Sequence, residues 1–302
     1  MIKPTIGFVG LGFMGHGMAV NIQKAGFALT VMAHRKREAV DDLVARGAQE
    51  ATDLGGLAAT SDIIVLCVHG PEQVDDLLRR AGGISAHARP GTMIVDCTTS
   101  RADTLLALAA DYPNLRFVDA PLGRSPKEAW SGKLSVMVGA TEADLTELRA
   151  LFAAFADTVQ HVGPLGSGHT LKLVNNMISM GYAALYSEAL TLTQKVGIPT
   201  AEFDQLISSS RMDCAFFQSF MGWVRNGDAQ SHAFALSSAA DAMVDAQRQA
   251  QAAELNLPLL NAVSEMYSEA KTAGEGDANL PELPRVVAAQ HGLTIQPALD
   301  QH

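Results

Sequence analysis

The chain has 302 residues, 48% hydrophobic and 18% charged, with a formal net charge of -10. That length exceeds a typical single core and predicts two domains, and the composition excludes a disordered chain. The acidic balance disfavours nucleic acid or an anionic membrane as the main partner.

An apolar run from Ile6 to Val9 feeds into Gly10-Leu11-Gly12-Phe13-Met14-Gly15, followed by a helical stretch from Met18 to Ile22. Strand, glycine turn and helix in that order predict a dinucleotide site. The first glycine permits the tight turn, the second admits a pyrophosphate to the backbone, and the third lets helix and strand pack closely. The alternative is a glycine turn that binds nothing.

The next apolar run, Phe27 to Met32, ends in Ala33-His34-Arg35-Lys36-Arg37. A carboxylate about 20 residues beyond the glycines would accept a hydrogen bond from the ribose of NAD. Here a basic run stands instead, with guanidinium and ammonium groups suited to a 2'-phosphate, so NADP(H) is expected over NAD(H). A solvated basic helix start is the competing reading.

Further strands are predicted at Ile63 to Val68, Met93 to Asp96, Arg116 to Asp119, Ser135 to Val138 and Thr158 to Val162, with a helix over Thr141 to Phe155. This alternation is the rhythm of a parallel, doubly wound sheet. It stops at Gly163-Pro164-Leu165-Gly166-Ser167-Gly168, and only helical patterning follows. The expected fold class is therefore an α/β N-terminal Rossmann-type doubly wound sheet, residues 1–165, and an all-α C-terminal domain, residues 166–302, joined by a long interdomain helix.

That helix is predicted from Ser167 to Val196, about eight turns closed by Gly197 and Pro199. Leu171, Leu173, Val174, Met177, Ile178, Met180, Leu185 and Leu190 make it apolar nearly all round, which predicts burial where the domains join. Within it Lys172, Asn175, Asn176 and Ser179 share one face. Buried amides and an ammonium need partners, so the stripe is expected to line a ligand-filled cleft; a solvent-facing edge is the alternative. From Pro281 onward, prolines and weak periodicity predict a loose extension.

Cys67, Cys97 and Cys214 are widely separated, with no metal-ligand spacing, and are expected to be reduced and mostly buried. The nine histidines are scattered singly, which favours surface or satisfied roles. No stretch reads as a secretory leader or a membrane span, so a cytoplasmic protein is expected, and no metal site.

Taken together, Phe8-Val9-Gly10-Leu11-Gly12-Phe13-Met14-Gly15, Asp119-Ala120-Pro121, Val136-Met137-Val138-Gly139 and Gly166-x-Gly168-x-x-x-Lys172-x-x-Asn175-Asn176 resemble the β-hydroxyacid dehydrogenase family, the group that includes 3-hydroxyisobutyrate dehydrogenase. The resemblance runs from about residue 5 to about 275. It implies that Lys172 is the catalytic general acid/base and that Asn176, with Asn175 or Ser179, holds substrate. It implies coenzyme contacts from Gly10 to Gly15, from the loop Val68-His69, and from Thr99 in Asp96-Cys97-Thr98-Thr99, for which a helix cap is the plainer alternative.

Two departures stand out. Many members carry Ser-Gly-Gly after the proline loop, whereas this chain reads Gly123-Arg124-Ser125, similar to the sulfolactaldehyde reductase branch. There Arg124 is either an anion clamp or an exposed arginine paired with Glu128. The family also has a lysine seven residues after a phenylalanine; counting from Phe234 lands on Asp241. Arg211 to Cys214 are candidates for replacement polar groups. The activity implied is hydride transfer between NADP(H) and a small 3-hydroxy acid or its semialdehyde, in a homodimer or homotetramer. An imine reductase, which would typically lack Lys172, and a non-catalytic cofactor-binding protein are the rivals.

Overall fold

The protein is described here by a computed structural model covering residues 3–34 and 36–298. Its first compact unit begins β1 (Ile6–Val9), α1 (Gly15–Lys24), β2 (Leu29–Val31), α2 (Glu38–Ala45), β3 (Gln49–Glu50), α3 (Leu54–Thr60), β4 (Ile63–Leu66), α4 (Pro71–Arg79) and α5 (Ile84–His87). It continues β5 (Met93–Asp96), α6 (Ala102–Asp111), β6 (Arg116–Asp119), β7 (Leu122–Gly123), α7 (Pro126–Ser131), β8 (Leu134–Gly139), α8 (Glu142–Phe155) and β9 (Ala156–Gly163). The helix α9 (Ser167–Lys195) follows, and the two units of the chain part after Lys172, within it.

The strands form one sheet in the order β3-β2-β1-β4-β5-β6-β8-β7, with β9 paired to β8. From β3 to β6 every pairing is parallel, and β8 runs antiparallel to β6 and β7. Strands buried on both faces read as continuous apolar runs because successive side chains point to opposite sides. Ile6, Phe8, Ile63, Val65, Met93 and Val95 thus enter one core, while Val9, Ile64, Leu66 and Ile94 enter the other. The six strands from β3 to β6 in that order point their carboxyl ends at the same edge, which is where ligands bind in such sheets.

The second unit holds α10 (Thr200–Ser208), α11 (Ala215–Phe220), α12 (Gly222–Asn226), α13 (Leu236–Ala252), α14 (Pro258–Ala270), a π-turn at Lys271–Glu275, a 3-10 turn at Leu280–Glu282 and α15 (Leu283–Gln290). Two expectations are corrected here. The segment after Pro281 is no loose extension: Leu283, Val286, Val287 and Ile295 are buried in this unit's core. Pro281 and Pro284 occupy first-turn positions, where a missing N–H costs nothing, so they start helices rather than break them.

Nor is α9 buried all round. Leu173, Met180 and Leu190 join the core, but Val174, Ile178 and Leu185 are exposed. Apolar content alone does not orient a helix; the packing partners select one stripe. The internal polar residues Ser187 and Thr191 donate to the carbonyls of Ala183 and Ser187 at 2.7 and 2.8 Å, so each is satisfied within the helix. Among the described residues no helix is long and apolar enough to cross a membrane.

Candidate active site

At the end of β1 the chain turns at Gly10 with φ +100°, a left-handed conformation that favours glycine. A Cβ there would stand 2.2 Å from the Cys67 carbonyl, and one at Gly15 would stand 1.9 Å from the Gly10 carbonyl. These two glycines therefore serve packing. Gly12 differs: nothing lies within 4 Å of its Cβ position, and Phe13 beside it is 89% exposed. Open space over a backbone that enters a helix without an acidic residue in its first turn suits a pyrophosphate. The residues present fit a dinucleotide.

The carboxyl ends of the next strands carry buried polar groups. Val68 N–H donates to Thr98 Oγ1 at 3.2 Å, tying the loop after β4 to the loop after β5. Asp96 Oδ1 accepts from the Thr98 amide at 2.9 Å, and its Oδ2 lies 3.1 Å from His169 Nε2, both residues being wholly buried. Thr99 is half-buried, and the His69 amide donates to Gln73 at 3.0 Å. Burial pushes the neighbouring Cys67 thiol up to about 12 and Cys97 above its ordinary value, so neither is a thiolate; Cys214 is exposed, against the expectation for it.

Asp119, at the end of β6, binds the start of α9. Its Oδ1 accepts from Gly166 N–H and its Oδ2 from His169 N–H, each at 2.7 Å. A Cβ on Gly139 would stand 2.2 Å from Asp119 Oδ1, and one on Gly168 2.4 Å from the Met137 carbonyl and 2.8 Å from Asp119 Oδ2. Three separated motifs are thus one packing unit. Burial raises the Asp119 pKa, opposed by the backbone N–H donors of Gly166 and His169. Reading histidines as satisfied or superficial missed His169; the available signal was two acidic residues, Asp96 and Asp119, each closing an apolar strand.

Three residues beyond His169, the half-buried Lys172 has no hydrogen bond or ion pair among the described residues, and burial lowers its pKa from 10.5 to about 8. One turn on, Asn176 is 4% exposed and its Nδ2 has no partner among the described residues. Asn175 is exposed, and Ser179 donates back to the Asn175 and Asn176 carbonyls at 3.0 and 3.2 Å. Lys172 and Asn176 are therefore the stripe's members whose unused donors are at least partly withdrawn from solvent.

Elsewhere the structure redistributes the expected charges. Arg35 lies outside the described residues. His34 and Lys36 are exposed, but Arg37 is held by Glu50 through two 3.0 Å bonds and by Asp41. Arg124 is neither a free clamp nor a partner of Glu128. It donates to Asp157 at 2.8 Å, to Thr158 at 3.2 Å and to the Lys133 carbonyl. The reason is register: Gly123 pairs with Ser135, and Ser135 with Thr158, so the residue after Gly123 meets Asp157 across β8. Glu128 instead closes a capping box with Ser125, at 2.5 Å to its hydroxyl. Asp241 is answered by Lys271, whose ammonium donates to it at 2.6 Å; Arg211 to Cys214 are all exposed. Among the described residues no group of three side chains could hold a metal.

A parallel sheet with this glycine turn, followed by a helical unit, defines a pyridine-nucleotide oxidoreductase. The family description "NAD binding domain of 6-phosphogluconate dehydrogenase" matches residues 5–163, and "NAD-binding of NADP-dependent 3-hydroxyisobutyrate dehydrogenase" matches residues 166–287. A 2-(hydroxymethyl)glutarate dehydrogenase of Eubacterium barkeri is 35% identical over 208 residues, 68% of this chain and 68% of that protein. An NAD-dependent L-serine dehydrogenase of Pseudomonas aeruginosa is 30% identical over 270 residues, 87% of this chain and 90% of that protein. The solved structure of Mycobacterium tuberculosis 3-hydroxyisobutyrate dehydrogenase with L-serine has the same fold, with a TM-score of 0.84 at 22% identity over 94% of this chain and 99% of that one. The chain belongs to the β-hydroxyacid dehydrogenase family, as an NAD(P)-dependent oxidoreductase of the 3-hydroxyisobutyrate dehydrogenase type.

The glycines separate packing from binding. Gly12→Val should leave the melting temperature within about 2 °C of the parent while weakening coenzyme binding at least tenfold in a fluorescence titration, because its Cβ meets only open space. Gly15→Ala, whose Cβ collides with backbone, should lower the melting temperature by several degrees. Equal thermal losses in both variants would contradict this division.

Proposed function

We propose that the protein transfers a hydride between NADP(H) and a small 3-hydroxy acid or its semialdehyde, with Lys172 as general acid/base. The observation that carries this reading is the ammonium of Lys172, buried enough to titrate near 8 and lacking, among the described residues, any partner that would fix its proton. The bound nicotinamide supplies or accepts the hydride. The alcohol proton must move as well. Neutral Lys172 takes it during oxidation, and protonated Lys172 returns it during reduction, with a pKa close to the working pH as efficient proton transfer requires. The unpartnered Asn176 amide, on the same helix face, is the donor assigned to a substrate oxygen, with Asn175 and Ser179 beside it. Arg124 is left out because Asp157 holds it.

Preference for the phosphorylated coenzyme rests on Lys36, His34 and the basic residue between them. Arg37 supports it indirectly by neutralising Glu50, the acid on the neighbouring strand. We further infer a homodimer from α9, where Ile178, Leu185 and Leu192 are 49%, 62% and 65% exposed at sevenfold spacing, the seam of a helix pair.

Lys172→Ala should reduce turnover by about 10²-fold or more while coenzyme affinity changes less than threefold. In the parent, oxidation should rise with pH through about 8 and reduction should fall through the same range; a pH-independent rate, or an active alanine variant, defeats the mechanism. Comparing kcat/KM for NADPH and NADH should favour NADPH, with Lys36→Ala narrowing the gap, whereas an NADH preference overturns the assignment. By light scattering, Leu185→Asp should convert a dimer to monomer; an unchanged mass would rule out this seam.

A further inference from the structure

The pair Asp96–His169 lies deeper than any group assigned to substrate, yet it touches both parts of the proposed machinery. Asp96 Oδ1 is bound to the Thr98 amide, and Thr98 Oγ1 to the Val68 amide, so this carboxylate organises the two loops that close β4 and β5. Its Oδ2 reaches the His169 ring, in the first turn of α9. The same residue's backbone N–H is held by Asp119, from the end of β6. His169 is thereby gripped at both ends by carboxylates from adjacent strands, while its Nδ1 is buried without a partner among the described residues.

Counting donors selects the ring's state. Nε2–H donates to Asp96; a proton on Nδ1 would be a second donor with nothing to accept it, a loss of about 1–3 kcal/mol. A neutral ring with its proton on Nε2 leaves only a bare acceptor unmatched. The imidazole is therefore a strut, and it has no route to move a proton onward.

We propose that His169 is a positioning residue for Lys172: the Asp96–His169–Asp119 grip sets the rotation of the first turn of α9, and hence the direction of the lysine three residues along. Residues three apart on a helix share a face, so a rotation at His169 passes directly to Lys172. Small displacements matter, since a 1 Å misplacement can cost about 10²-fold in rate. The inference rests on the role proposed above for Lys172.

The experiment compares the parent with His169→Leu, which has no donor, and His169→Gln, whose amide N–H stands near the Nε2 position. For each, kcat, the coenzyme dissociation constant and the titration of Lys172 are measured, the last by NMR of ¹³C-methylated lysines assigned with Lys172→Arg. Expected for the leucine variant are a tenfold or greater fall in kcat, coenzyme affinity within twofold, and a Lys172 titration moved from near 8 towards the ordinary 10.5 as water reaches the ammonium. The glutamine variant should stay within about threefold of the parent in kcat and keep its titration. The inference is overturned if the leucine variant keeps the parent's titration and kcat, or if glutamine falls as far as leucine. Should His169→Leu fail to fold, Asp96→Asn, which keeps the shape but one acceptor, is read against the same criteria. If the parent turns over no hydroxy acid, the proposed function fails while the NMR titration still decides the positioning role.

Discussion

The carboxylate of Asp119 is the constraint on which the rest of the first unit's geometry depends. It is wholly buried, and a carboxylate taken from water must be repaid with hydrogen bonds. Gly166, just before α9, and His169, in its first turn, provide them at the helix start, where backbone N–H groups lack intrahelical partners and the helix dipole favours a negative charge. The need is mutual. Room for that exchange exists only because residues 139 and 168 have no Cβ. Glycines from two distant segments and an acid from a third are therefore determined together.

Along α9, polar side chains divide into two kinds by how they are satisfied. Ser187 and Thr191 turn back on their own helix and ask nothing of their surroundings. Lys172 and the Nδ2 of Asn176 find nothing among the described residues, although one is half-buried and the other almost entirely so. Leaving a donor unmatched costs more than a matched pair gains, so such groups persist where a ligand completes them. That asymmetry marks the candidate site better than polarity does.

Charged side chains were the part of the site least legible beforehand. Arg124 and Arg37 looked available in sequence, yet the strand pairings set Asp157 and Glu50 opposite them. Asp241 looked like a lost cation, but Lys271, on the turn after α14, brings one back. Long flexible side chains pair with whatever the register presents, and register between distant segments is not written in either one.

Local pattern determined most of the architecture: the glycine turn, the apolar runs that became β1, β2, β4, β5, β6 and β8, the length of α9 and the one face shared by Lys172, Asn175, Asn176 and Ser179, while the two-residue strands β3 and β7 were not legible. Those features depend on spacing within a few residues, where sequence and geometry are tied by the helix and strand repeats. Tertiary structure alone decided that His169 belongs to Asp96, that Arg124 is spent on Asp157, that α9 leaves Ile178 and Leu185 outside, and that the prolines near the end begin helices inside the core. Each of these is a choice among distant partners, settled by which groups the fold brings within about 3 Å of one another.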